Sequence, residues 1–215
     1  THVVTVDDAR FEVVDGVLRL RAGQSLDHET EPTVDLVLTA TDAGGLSYTE
    51  TVTITVEDVN EAPTDITLSS AAVAENDGGA AIGTVSVLDP DTGDTHVVTV
   101  DDARFEVVGG LFKLREGVSL DHEAEPTIDI VLTATDTGGL SRLEMVTVTV
   151  GDVNEAPTDI SLSNATVAEN ELGAAVGMVS VMDPDAGDTH VVTIDDARFE
   201  VVGGVLRLMD GESLD

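Results

Sequence analysis

Asp152-Val153-Asn154-Glu155-Ala156-Pro157 repeats, residue for residue, the segment Asp58-Val59-Asn60-Glu61-Ala62-Pro63 that lies 94 residues earlier. The later copy follows a run in which Val146, Val148 and Val150 alternate with Thr147 and Thr149. That period of two is the pattern of a half-buried strand. Each copy closes on a proline, which has no N–H with which to continue a ladder. The segment therefore reads as a joint between repeated units. Other stretches keep the same spacing: THVVT begins at Thr1, Thr95 and Thr189, and DDARFEVV at Asp7, Asp101 and Asp195. The repeat, about 94 residues, is an ordinary length for a β-sandwich. In this frame residues 59–152 are a complete unit, residues 1–58 the C-terminal part of one, and residues 153–215 the N-terminal part of a third.

Within residues 59–152 the alternation predicts strands over 66–69, 72–74, 82–88, 96–100, 104–108, 111–114, 127–135 and 145–150. Gly109-Gly110 lies between two of them as a two-residue hairpin turn. Short strands, turn residues between them and no helical period point to a Greek-key sandwich. Hydrophobic residues make up 41% of the chain but aromatics only 2%. The cores must therefore be built from branched aliphatic side chains, which suit a pleated surface.

The charge is extreme, with 9 basic residues against 43 acidic ones, formally −34. Nucleic-acid phosphates would be repelled. Such a charge also opposes compaction. The periodic apolar content argues against disorder, so clustered acids neutralised by a cation are the alternative. There is no Cys, hence no disulfide or thiolate metal site. No apolar run is long enough to span a membrane. The chain starts in mid-repeat, as an excised fragment would.

The acids gather at predicted strand ends. They include Glu75-Asn76, Asp89-Pro90-Asp91, Leu120-Asp121-His122-Glu123, Ala134-Thr135-Asp136 and the Asp152–Pro157 joint itself. Calcium takes six to eight hard oxygen ligands, and no one of these segments supplies that many. In this order they resemble the xEN, DxD, LDRE, ATD and DxNDNxP motifs of the cadherin repeat, in its bacterial form. The resemblance covers the whole chain. It departs in two places: His122 stands where the family has Arg, and Glu61 and Glu155 stand where it has the second linker Asp.

The resemblance implies an all-β chain of tandem Greek-key, cadherin/immunoglobulin-like sandwiches with seven strands per repeat. It also implies Ca2+ held at each joint. The first joint would use Asp27, Glu29, Asp58, Asn60 and Glu61, with Asp89, Asp91 and Asp136 from the following unit. The second would use Glu75, Asp121, Glu123, Asp152, Asn154 and Glu155, with Asp183 and Asp185. The linker Asn would contribute through its backbone carbonyl, leaving its side chain replaceable. Asp42, Glu169 and Asp215 would serve joints outside this sequence.

Several simpler readings stand beside that one. Asp-Pro-Asp-x-Gly is also a plain turn signal, and Asp94 and Asp188 read as turn residues, with an outer place at a metal site as the alternative. An EF-hand loop starting at Asp89 fails, because Asp94 and Val100 stand where Gly and Glu are needed. The His residues fall at only two repeat positions and read as exposed or strand-face residues rather than zinc ligands. No nucleophile elbow or phosphate loop is present, so the chain is not read as an enzyme.

The expected role is a calcium-rigidified stalk or adhesion segment of a large extracellular, secreted or cell-surface protein. Its partners would be calcium, neighbouring repeats, and like molecules or cell-surface ligands. A carbohydrate- or partner-binding module, or a spacer in a larger secreted enzyme or toxin, is the alternative.

Overall fold

The computed structural model describes residues 2–215 and contains strands and turns with no helix among them. The first strands are β1 (Val3–Val6), β2 (Phe11–Val14), β3 (Val17–Leu20), β4 (Thr33–Thr41) and β5 (Ser47–Thr55). They are followed by β6 (Asp65–Leu68), β7 (Ala72–Ala74), β8 (Ala81–Leu88), β9 (Val97–Val100), β10 (Phe105–Val108), β11 (Leu111–Leu114), β12 (Thr127–Thr135) and β13 (Ser141–Gly151). Last come β14 (Asp159–Leu162), β15 (Ala175–Met182), β16 (Phe199–Val202) and β17 (Val205–Leu208).

Strands β6 to β13 make two four-stranded sheets, ordered β10-β11-β8-β6 and β7-β13-β12-β9. β6 pairs antiparallel with β8, whereas β7, only a few residues on, pairs parallel with β13. β6 and β7 are thus one edge segment that changes sheets. Counted so, these eight pieces are the seven strands expected of a repeat. The inward residues of both sheets share one core, which includes Ile66, Ile82, Phe105, Phe112, Ile130, Leu132, Val148 and Val150. Phe105 and Phe112 stack at 5.3 Å. They supply two of the few aromatic anchors in a core otherwise made of aliphatic side chains.

The Gly109-Gly110 turn has positive φ at both positions, 59° and 78°. This is the mirror-image turn whose twist matches a hairpin. Asp15-Gly16 and Gly203-Gly204 do the same work in the neighbouring sets of strands.

The identical Val-Val-Thr steps of the repeat have different fates. β9 is a strand because it pairs with β12, and β1 pairs with β4 in the same way. Residues 190–194 form no strand, and Val191 is 92% exposed. No described strand pairs with them as β12 pairs with β9. Pairing, rather than local propensity, decides the outcome.

Opposite β11, the register of β8 shifts, so that Phe112 faces Gly83 while Lys113 faces Ala81. Ile82 is the extra residue of a β-bulge. Gly83 there lies under the preceding edge: a Cβ would come 2.5 Å from the Ser70 carbonyl oxygen. Gly177 meets Asn164 in the same way, again at a register shift. Gly83→Ala should therefore lower stability by about 1–3 kcal/mol through overpacking, measured by urea unfolding. An unchanged midpoint would contradict the close approach.

Candidate metal centres at the joints

Each joint is built where strand ends converge. At the first, the chain leaves β5 through Asp58 to Pro63, and the ends of β8 and β12 carry Asp89, Asp91 and Asp136 up to it. The backbone N–H of Glu61 donates to Asp91 Oδ2 at 2.8 Å. The Asn60 side-chain amide donates to Asp136 Oδ2 at 3.0 Å. The side chain of the linker Asn, which the resemblance leaves replaceable, is therefore engaged in a hydrogen bond. Gly138 permits this, since a Cβ there would overlap the Asn60 side chain.

Oxygen atoms of Glu29, Glu61 and Asp91 lie within 4.8 Å of one another, as do atoms of Asp89, Asp94 and Asp136. Glu29 also groups with Asp58 and His28. Asp27 is turned to Thr30, whose N–H and hydroxyl it accepts at 3.1 and 2.9 Å.

The second joint repeats the design. Glu155 N–H donates to Asp185 Oδ2 at 2.6 Å. Glu75, only 2% exposed, accepts the backbone N–H groups of His122 and Val153, each at 2.7 Å. That fixes the exit of β13 against the preceding loop. Glu75 groups with Asp121 and Glu123, and Glu123 with Asp152 and His122. Glu155 Oε1 accepts the Asn76 amide at 2.8 Å. The Asn154 amide donates to the Glu155 carbonyl at 2.9 Å. Asp183 is held by the N–H of Asp185 at 3.1 Å and by His190.

The structure brings two further residues to the first joint. Asp94, read as a turn residue, stands in the group with Asp89 and Asp136. His96, read as an exposed or strand-face residue, has its Nε2 2.7 Å from Asp89 Oδ2 and a side chain only 12% exposed. The recurrence of THVV every 94 residues was the only trace of this in the sequence.

The electrostatics of the two joints are unbalanced. Partial burial, then the charges of Glu29 and Asp91, push the Glu61 carboxyl above the ordinary glutamate value. Burial, then Glu75 and Asp152, do the same to Glu123. Glu75 goes the other way, held low by the N–H groups of His122 and Val153. Burial tends to raise Asp136, but the Asn60 amide and the N–H groups of Leu140, Gly139 and Gly138 outweigh it and leave it low.

No Lys or Arg among the described residues pairs with a joint carboxylate. Eight of the nine are in ion pairs elsewhere, and Arg21 donates to the Phe11 carbonyl. One oxygen of Asp91 and one of Asp185 are buried with no hydrogen-bond partner. An acceptor-only oxygen left so is costly, and a hard cation is the ligand its chemistry fits.

No protein-family model matches the chain. It is 33% identical over 183 residues to protocadherin gamma-A11 of Homo sapiens, a match covering 79% of this chain and 20% of that protein. Protocadherin gamma-A6 of Pan troglodytes is 30% identical over 196 residues, covering 85% of this chain and 21% of that protein. The chain thus spans about one fifth of the length of these curated relatives. The solved extracellular domain of protocadherin GammaB4 is 27% identical, with a TM-score of 0.69 over 99% of this chain and 38% of that one. The EC3-6 cis-dimer structure of protocadherin gammaB7 is 25% identical, with a TM-score of 0.67 over 99% of this chain and 59% of that one. These curated relatives are animal proteins and give no support to the bacterial source that the motifs suggested. The chain is built of cadherin-like repeats.

Proposed function

We propose that this chain is a calcium-rigidified segment of an extracellular adhesion or stalk protein. On this reading residues 59–152 are one whole repeat, and residues 1–58 and 153–215 are parts of its neighbours. The observation that carries it is the charge arrangement at the joints. Carboxylates from both sides crowd together, the chain's own cations are engaged elsewhere, and one oxygen each of Asp91 and Asp185 is buried without a partner.

The first joint would hold calcium through Asp27, Glu29, Asp58, Asn60 and Glu61 on one side and Asp89, Asp91 and Asp136 on the other. The second would use Glu75, Asp121, Glu123, Asp152, Asn154 and Glu155 with Asp183 and Asp185. Bound there, calcium supplies positive charge and bridges ligands from consecutive repeats. The protein's part is to hold the acids in place. Glu75 is clamped by two N–H groups, and Glu61 and Glu155 are tied across the joint through Asp91 and Asp185. Adhesion through like molecules is favoured by the protocadherin relatives, one of which was solved as a cis-dimer. The role is structural rather than catalytic, because the acidic groups recur with each repeat.

Calcium that binds only the folded chain raises its stability by mass action. Adding calcium should therefore raise the melting temperature sharply, and Asp152→Ala should abolish most binding at the second joint in calorimetry. An unchanged melting temperature, or wild-type affinity in that variant, would sink the reading.

In chelator, two neighbouring acids should respond with opposite signs. Glu123 titrates above its ordinary value, so its charge costs stability once the pH has risen through that range. Glu123→Gln should stabilise the chelated chain at pH 7. Glu75 titrates below its ordinary value, so it contributes stability at neutral pH that is lost as the pH falls through the acid range. Glu75→Gln should destabilise the chelated chain. Both variants should weaken calcium binding. Melting curves that move the same way in chelator would contradict the assigned electrostatics.

A further inference from the structure

The two histidine positions of the repeat do different things. His28 and His122 turn Nδ1 to the carbonyls of Val56 and Val150, at 2.8 Å each. His96 and His190 turn Nε2 to an acid instead, reaching Oδ2 of Asp89 and of Asp183 at 2.7 Å each. Both acids are sequestered, with side chains 5% and 6% exposed. Their other oxygen, Oδ1, accepts the N–H of Asp91 at 3.0 Å and of Asp185 at 3.1 Å. The first acid of each Asp-Pro-Asp segment is thus gripped at both oxygens. Each oxygen keeps a second lone pair.

Asp89 stands with Asp94 and Asp136 inside one small group of carboxylates. Like charges at that range repel, and an aspartate free to turn about its side-chain bonds would swing away. The His96 ring opposes that. The same pairing recurs 94 residues on, at the other joint. A contact formed independently by two copies of the repeat is a feature of the repeat itself.

We propose that His96 and His190 are positioning residues for the cation sites, each holding the first aspartate of its Asp-Pro-Asp segment in the group it must join. This rests on the calcium reading above. The histidine itself is not a ligand: the ring nitrogen that faces the site is occupied by the aspartate.

The test is calorimetric titration of the whole chain with calcium chloride, for wild type, His96→Ala, Asp89→Asn and the double variant. His96→Ala should weaken binding at the first joint by about tenfold, the scale seen when a ligand loses its hydrogen-bonded support. The double variant should bind no more weakly than Asp89→Asn alone, because the histidine acts through that carboxylate. His96→Gln, which keeps a side-chain N–H donor, should recover much of the loss and serves if the Ala variant misfolds. The corresponding change at His190 should act on the second joint only. Unchanged affinity in His96→Ala, an equal further loss in the Asp89→Asn background, or a Gln variant as weak as the Ala one would each overturn the proposal. A wild-type chain that binds no calcium would overturn the calcium reading and the histidine role with it.

Discussion

Repulsion between carboxylates at the joints is the constraint on which the rest of this molecule depends. Glu29, Glu61 and Asp91 share one small volume, and Asp89, Asp94 and Asp136 another. The second group is half-buried to buried, and there such neighbours act on one another more strongly than in bulk water. The few Lys and Arg residues that might have neutralised them sit on the hairpins and strand faces, paired with other acids, as Arg104 is with Asp102 and Glu125. The formal charge of −34 is therefore not spread evenly as a solvating coat. Part of it is gathered at the joints, where no Lys or Arg among the described residues pairs with it.

The sandwich makes that gathering possible. Its two sheets share a core of aliphatic residues around the Phe105–Phe112 pair, and this core fixes where each strand ends. β8 is followed by Asp89-Pro90-Asp91, β12 by Asp136, and β13 by Asp152 and the next joint. The strand places the backbone of an acid at its end, but leaves the carboxylate to be placed by its own contacts. Short hydrogen bonds then finish the placement, from Glu61 N–H to Asp91 and from Asn60 to Asp136. The linker thus docks on the carboxylates of the unit that follows it.

Much of this is legible in the residue pattern. The 94-residue spacing gives the unit, the Val/Thr alternation gives β13, and Gly109-Gly110 gives its hairpin. The converging acids follow from strand ends carrying recurrent motifs. What stays hidden is what depends on distance through space. Asp94 looks like one more turn residue until β8 and β12 bring it beside Asp136. His96 looks like a strand-face residue until its ring is seen against Asp89. The Asn60 side chain acquires a partner only because Gly138 leaves room for it. The stretch 190–194 nearly matches 96–100 in sequence, yet no described strand pairs with it as β12 pairs with β9. Local pattern cannot register a missing neighbour.

The central claim is that cations fix the joint between repeats, and a distance across the first joint tests it most directly. The chain has no Cys, so spin labels can be placed at Val17→Cys and Val108→Cys, two exposed positions on either side of that joint. Double electron–electron resonance should give one narrow distance in calcium and a broad distribution in chelator. Equal widths in both conditions would contradict the account.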